Sequence, residues 1–269
     1  YVSKAFPSRI SSDNNNSDSP AQSQNLEAIC CICEKGIADD ITKAALQSGA
    51  PGPTVTFGEG GGVRDKIPLL RITKGPEKEF VWCVVEKSDA DEIFSNMARA
   101  GKITEPGRGF MYSIPVHNGL INVSSTVSSS AHGANMEQIR SALDDIKGNK
   151  EWRTSVGSGK TSSLKTTFLE NLVGLYCIVP RDFYGDVYDA VLDSGAPGVS
   201  TNFGVMIDSD SESDEQQQNE EWALVYTSVG PGSVDDLRQN IADRIISMDM
   251  ERFAFYTLPI PRALTYLGG

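Results

Sequence analysis

Histidine is nearly missing from this chain of 269 residues: there are two, His117 and His132. Neither has a Ser, Cys or Asp arranged beside it, so general acid–base chemistry has no visible set of partners and no enzyme activity is expected. Positive charge is scarce too. Lys and Arg total 24 against 36 Asp and Glu, a formal charge of -12. That balance speaks against nucleic acid, which needs a basic face, and against docking on anionic lipid. No apolar run approaches the ~20 residues a membrane helix needs. Cysteine is sparse and odd in number: Cys30, Cys31, Cys33, Cys83 and Cys177. An odd, clustered set argues against a disulfide framework and for a reducing compartment. Cys31 and Cys33 share one strand face, which suits a soft metal and equally suits small buried hydrophobes. No His or further thiol is arranged beside them, so no metal or other cofactor is expected. The chain opens on Tyr1 rather than Met, which reads as a product trimmed of a targeting peptide.

What the chain has is a repeat. Ser48-Gly49-Ala50-Pro51-Gly52 returns as Ser194-Gly195-Ala196-Pro197-Gly198. At the same offset of 146, Cys31-Ile32 recurs as Cys177-Ile178, and Phe57-Gly58 as Phe203-Gly204. Further on the offset is 144: Asn96 matches Asn240, Arg108 matches Arg252, Tyr112 matches Tyr256 and Pro115 matches Pro259. A drift of two is one loop-length change, so the chain holds two copies of a unit of about 90 residues.

The apolar pattern assigns the elements. In the first copy, 26–34 is a continuous apolar strand, 38–48 a helix stopped by Gly49, and 54–57 a strand. Residues 58–79 read as a long connection, with Gly58-x-Gly60-Gly61-Gly62 as a flexible loop rather than an anion cradle. A strand at 80–85, a helix at 89–101 and a strand at 110–116 complete it. The second copy retraces this with strands at 172–179, 199–207, 222–227 and 253–260, and helices marked by Phe183, Val187 and Val191 and at 234–246. The expected fold class is α+β: two tandem, pseudo-symmetric ferredoxin-like βαββαβ domains, each with its own antiparallel sheet. The expected organisation is an extended or disordered arm at 1–25, repeats at 26–117 and 169–262, a linker at 118–168 with one helix near 136–146, and a docking tail at 263–269. Gly157-Ser158-Gly159-Lys160-Thr161 imitates the end of a Walker loop, but the required first glycine is Thr154 and no strand precedes it, so it reads as linker. The acidic run 208–221 lacks calcium-loop spacing and reads as a solvated loop.

Several stretches resemble the PII family of signalling proteins. Leu26-Glu27-Ala28-Ile29 is similar to that family's first strand, and Gly49 to Thr56 to its helix-to-strand turn. Gly101-Lys102-Ile103, Gly107-Arg108-Gly109-Phe110 and Ile114-Pro115-Val116 look like its phosphate-binding loop and closing strand. The resemblance implies adenine-nucleotide binding between subunits, with Gly107, Arg108 and Gly109 as effector contacts and Lys102 nearby. A glycine turn makes an anion nest from backbone N–H groups, which is the chemistry such a loop needs. The chain departs from the pattern in three places. The loop carries an extra residue and a carboxylate, Glu105; residues 117–130 hold no Arg or Lys; and the second copy, Ser247-Met248-Asp249-Met250-Glu251, has two acids and no glycine. ATP binding is therefore expected to be weak or absent.

The whole pattern is also similar to the diatom pyrenoid shell proteins, which tile a sheet around the Rubisco compartment of the plastid. That resemblance implies a structural protein of the chloroplast, a homopolymer whose sheet edges pair, with components of the Rubisco compartment as partners. The expected assembly contacts are Leu264, Tyr266 and Leu267 in an apolar tail, with Phe6 in the N-terminal arm. The alternative is a PII-like regulator that senses a small effector and meets its target through the loops 58–79 or 208–220.

Overall fold

The computed structural model describes residues 25–62, 77–119, 121, 144, 146, 148, 167–206 and 220–267. The expected N-terminal arm with Phe6, the Walker-like stretch, the acidic run before Glu220 and nearly all of the linker helix lie outside them. The elements follow in the order β1 Leu26–Glu34, α1 Ala38–Gln47, β2 Thr54–Gly62, β3 Glu77–Glu86, α2 Lys87–Ala100 and β4 Gly109–Val116. Then come β5 Leu169–Pro180, α3 Tyr184–Asp193, β6 Gly198–Met206, β7 Glu220–Val229, α4 Val234–Ser247 and β8 Ala254–Thr265.

The residues that echo between the copies do the same local work twice. Gly49 and Gly195 take positive φ, 92° and 84°, and end α1 and α3. One residue on, the Ala50 and Ala196 N–H groups reach back to the carbonyls of Ala45 and Val191. The Ser48 and Ser194 hydroxyls donate to the carbonyls of Ala44 and Ala190 at 2.8 and 2.6 Å. Asn96 and Asn240 then donate to those serine oxygens at 2.8 and 3.2 Å, tying α2 to α1 and α4 to α3. Helix α1 has no capping side chain of its own at Ile37. Glu79 of β3 does that work: its Oε2 accepts from the Gly36, Ile37 and Ala38 N–H groups at 2.9, 3.2 and 2.9 Å.

The sheet departs from expectation. Two separate ferredoxin-like sheets with free edges are not what forms; the eight strands close into a single antiparallel barrel in the order β1-β3-β2-β6-β7-β5-β8-β4. Two ladders between the repeats make the closure. Gly58–Gly62 of β2 pairs with Gly198–Asn202 of β6. Phe110–Ser113 of β4 pairs with Arg262–Thr265 of β8. The physical reason for the first is steric. A Cβ at Gly58 would overlap the Thr201 carbonyl oxygen and stand 2.9 Å from the Phe80 ring, so only glycine lets the two backbones meet. The glycine run is thus strand, not loop. The reason for the second is that β8 does not stop at Ile260 but continues to Thr265. Closure removes the free edges on which the expected edge-to-edge assembly rested.

Alternation across the strands then splits the core in three. Ile29, Cys31 and Cys33 face α1 and α2 in the first repeat's core; Leu175, Cys177 and Val179 face α3 and α4 in the second's. Cys30, Ile32, Phe80 and Tyr112 meet Tyr176, Tyr226, Ile260 and Ala263 inside the barrel, in a core that both repeats share. Strand β1 is covered on both faces, which is why its run is apolar without alternation.

Gly58 and its repeat equivalent Gly204 provide an internal test, since a Cβ at Gly204 meets nothing within 4 Å. Gly58→Ala should lower stability by about 2 kcal/mol or more, and Gly204→Ala should stay within about 0.5 kcal/mol of the parent, as read from paired urea melts.

Candidate functional site

The expected effector loop lies between α2 and β4. Its backbone is wound in tight turns. The Lys102 N–H donates to the Arg99 carbonyl at 3.2 Å, Ile103 to Ala98 at 3.0 Å, Glu105 to Lys102 at 2.9 Å and Arg108 to Glu105 at 3.3 Å. Those four amides close the loop on itself, because the fully buried Ile103 pins it into the first repeat's core. Lys102 sits at positive φ, 52°, with its side chain exposed. Arg108 lies between two carboxylates, 3.7 Å from Glu34 and 3.5 Å from Glu105. Gly107, at φ 74°, brings the chain round to β4. Gly109 opens that strand opposite Cys33, where a Cβ would overlap the Ile32 carbonyl. The structure thus brings Gly107, Arg108 and Gly109 together at the mouth of β4 and places Lys102 at the loop's start. It also gives Arg108 anionic neighbours that an incoming phosphate has to displace. In the second repeat Arg252 occupies the matching station, 3.0 Å from Glu220 and stacked 5.3 Å from the Trp222 ring.

The barrel interior is the other enclosed place. Across β3, β1 and β4 one row reads Trp82, Cys30, Tyr112; across β7, β5 and β8 the matching row reads Tyr226, Tyr176, Tyr256. In the second row the rings stack at 5.3 and 5.2 Å. In the first, Trp82 and Tyr112 meet edge-on at 6.1 Å across the small Cys30. The Tyr176 and Tyr112 hydroxyls lie 3.4 Å apart, and Phe80 reaches Tyr226 at 6.1 Å. Aromatic rings therefore fill the space where a barrel of eight strands holds either side chains or one small ligand. Burial pushes the Tyr112 and Tyr226 phenols and the Cys30 thiol far up, and the Tyr176 phenol up to about 12, partly offset by its hydrogen bond with Tyr112.

The other thiols are as quiet. Burial holds Cys33, Cys83 and Cys177 up at about 12 and pushes Cys31 well up. Cys31 and Cys33 do share a face, as expected, but it is the helix-covered one. Thiolate is the form that attacks or binds metal, and here it is suppressed. Among the described residues no group of three or more His, Cys, Asp or Glu is placed to hold a metal. One shallow depression of about 200 Å³ lies beside Pro51, Thr54, Trp82 and Val84, with a mainly apolar lining.

Of the expected assembly contacts, Leu264 is reassigned. It is 2% exposed and packed in the first repeat's core, since β8 carries it onto β4 opposite Met111. Tyr266 and Leu267 follow the strand and are 36% and 51% exposed. Sequence reasoning missed Arg262, the residue that locks the repeats together. From β8 it reaches Glu27 of β1 at 3.0 Å and Asp91 of α2, and lies 4.3 Å over the Phe94 ring. An arginine just after an Ile-Pro pair near the chain end carried no signal of this role. Glu79, a lone carboxylate beside an apolar strand run, did carry one, because a buried carboxylate needs donors.

No protein family's sequence model matches the chain. No curated protein matches it. Solved structures similar to it include a PII protein of Arabidopsis thaliana bound to citrate, 18% identical, covering 40% of this chain and 94% of that one at a TM-score of 0.30. CutA of Synechococcus elongatus complexed with Bis-Tris is 16% identical, covering 37% and 90% at 0.27. A microcompartment protein of Desulfitobacterium hafniense is 10% identical, covering 88% and 95% at 0.24.

The buried thiols and phenols set a pH limit. Cys33, Cys83 and Cys177 rise from 9.0 and Tyr176 from 10.0, each to about 12 in the folded chain. Their contribution to stability is whole below pH 9 and is lost as pH climbs toward 12, because only the unfolded chain releases these protons there. Calorimetry should show Tm steady from pH 7 to 8.5 and falling by on the order of 10 °C or more by pH 11. At pH 7.5 a thiol reagent should label the folded protein slowly, and all five cysteines once the chain is denatured.

Proposed function

We propose that this chain is a non-enzymatic structural protein whose copies assemble into a sheet or tube. We further propose that the lattice is the protein shell around the Rubisco-containing pyrenoid of a chloroplast, reached after loss of a targeting peptide. The observation that carries the structural reading is the aromatic packing of the barrel interior together with the suppressed thiols. The most enclosed part of the molecule is spent on holding two repeats together. The pyrenoid assignment rests on the overall resemblance of the sequence, and its partners are further copies of the chain and components of that compartment. The formal charge of -12 gives no basis for nucleic acid as a partner. No described helix is long and apolar enough to cross a membrane.

With the sheet edges closed, side chains on the outside are one source of contacts between copies. Tyr266 and Leu267 stand exposed just past β8, and Phe57 and Val205, 69% and 58% exposed, stand on the strands of the glycine seam. Burying one such side chain contributes about 1.5–3 kcal/mol before ordering costs, enough for a few to decide a lattice contact. The regulator reading draws on the loop between α2 and β4, where Lys102 is exposed and Arg108 is one-third exposed.

Negative-stain micrographs of purified protein should show extended sheets or tubes; discrete small particles at all concentrations would end the structural reading. Removing residues 266–269 leaves β8 whole. It should leave the circular-dichroism melt within about 2 °C of the parent while extended assemblies disappear. Isothermal calorimetry with ATP should show no binding in the micromolar range. Micromolar binding that Arg108→Ala abolishes would favour the regulator instead.

A further inference from the structure

The ladders within each repeat join six to nine residue pairs, whereas the two that join the repeats have five and four. These two seams are the weakest lines in the sheet, and they lie entirely between repeats. Each repeat keeps a core under its own helices, and parting the seams takes only Leu264 of β8 out of the first, so two helix-backed halves remain. What parting exposes is the shared interior: Phe80 and Tyr112 on one half, Tyr176 and Tyr226 on the other. A half so opened has to find a partner half, because an aromatic face of that kind does not stay in water.

We propose that the partner half can come from a second copy of this chain, the seams β2–β6 and β4–β8 forming between the first repeat of one chain and the second repeat of another. This rests on the self-assembly reading above and supplies its joint. The contacts of the exchanged barrel are those of the single-chain barrel: the glycine seam, the stacked tyrosines, Leu264 under the helices and Arg262 on Glu27. Only the connection between the repeats tells the two arrangements apart. Residues 117–168 join them, a length that reaches on the order of 100 Å when drawn out. The effective concentration such a connection imposes is at most on the order of millimolar and falls as it lengthens, so dense copies compete with it. Two chains that exchange both ways make a closed pair. A chain that takes one neighbour on each side makes a joint that does not close, and the polymer grows.

Phe110 of β4 lies directly opposite Thr265 of β8, at a spacing a disulfide spans. One preparation of the full chain carries Phe110→Cys and another Thr265→Cys; they are mixed, allowed to assemble and mildly oxidised. Peptide mass spectrometry should find the 110–265 disulfide joining the two kinds of chain, at least tenfold more in the assembled fraction than in the monomer fraction. In unexchanged barrels each seam holds one new thiol and no such bond forms. The double variant Phe110→Cys/Thr265→Cys, oxidised as dilute monomer, should keep its circular-dichroism spectrum and lose assembly, regaining it with reductant. Lattices built from the locked barrel, or assemblies of the mixed chains with no 110–265 bond, would overturn the exchange and leave the assembly reading standing. Wild-type protein that never assembles would overturn both.

Discussion

Closure of the sheet at the glycine seam is the constraint on which the rest of the molecule depends. Strands β2 and β6 are the outer strands of their respective repeats, and they meet only because Gly58 puts no carbon against the Thr201 carbonyl. Once they meet, the far edges β4 and β8 are brought round to pair as well, and the two sheets enclose a common interior. Backbone proximity at a few residues thus decides whether Phe80, Tyr112, Tyr176 and Tyr226 are a core or two exposed faces.

The repeats are alike where they cap helices and unlike where they face each other. Ser48 with Asn96, and Ser194 with Asn240, make the same joint between paired helices. The cross-strand rows differ, Trp82-Cys30-Tyr112 against Tyr226-Tyr176-Tyr256, the last ring 39% exposed. The small Cys30, standing where the second copy has Tyr176, leaves that ring room to approach Tyr112. The two copies have become complementary halves of one core. This also accounts for the chemical quiet of Cys30, whose position in the middle of that core keeps its proton on.

The same geometry redirects the search for contacts between copies. An open-edged sheet grows by backbone pairing, but a closed barrel has no unpaired edge to add to. Growth then requires apolar side chains on the outer surface, such as those of Phe57, Val205, Tyr266 and Leu267, or reopening of a seam. Arg262 bears on the second route. It ties β8 to β1 and α2 of the other repeat through two carboxylates and a ring, so it sets how firmly the seam stays shut.

Local pattern alone determined a good deal: two copies, the order of strands and helices within each, the helix stop at Gly49, and β1 as a buried strand. Each of these follows from periodicity or from one residue's backbone preference, and such information is carried by neighbours along the chain. Beyond its reach lay the continuation of β2 through Gly58–Gly62, of β8 through Thr265, the burial of Leu264 and the reach of Arg262. A glycine run reads as loop until another backbone is known to lie against it. A terminal Ala-Leu-Thr reads as tail until the strand that receives it is known. The partners in question, β6 and β4, lie some 140 and 150 residues away in sequence, so only the closed barrel could decide what those residues do.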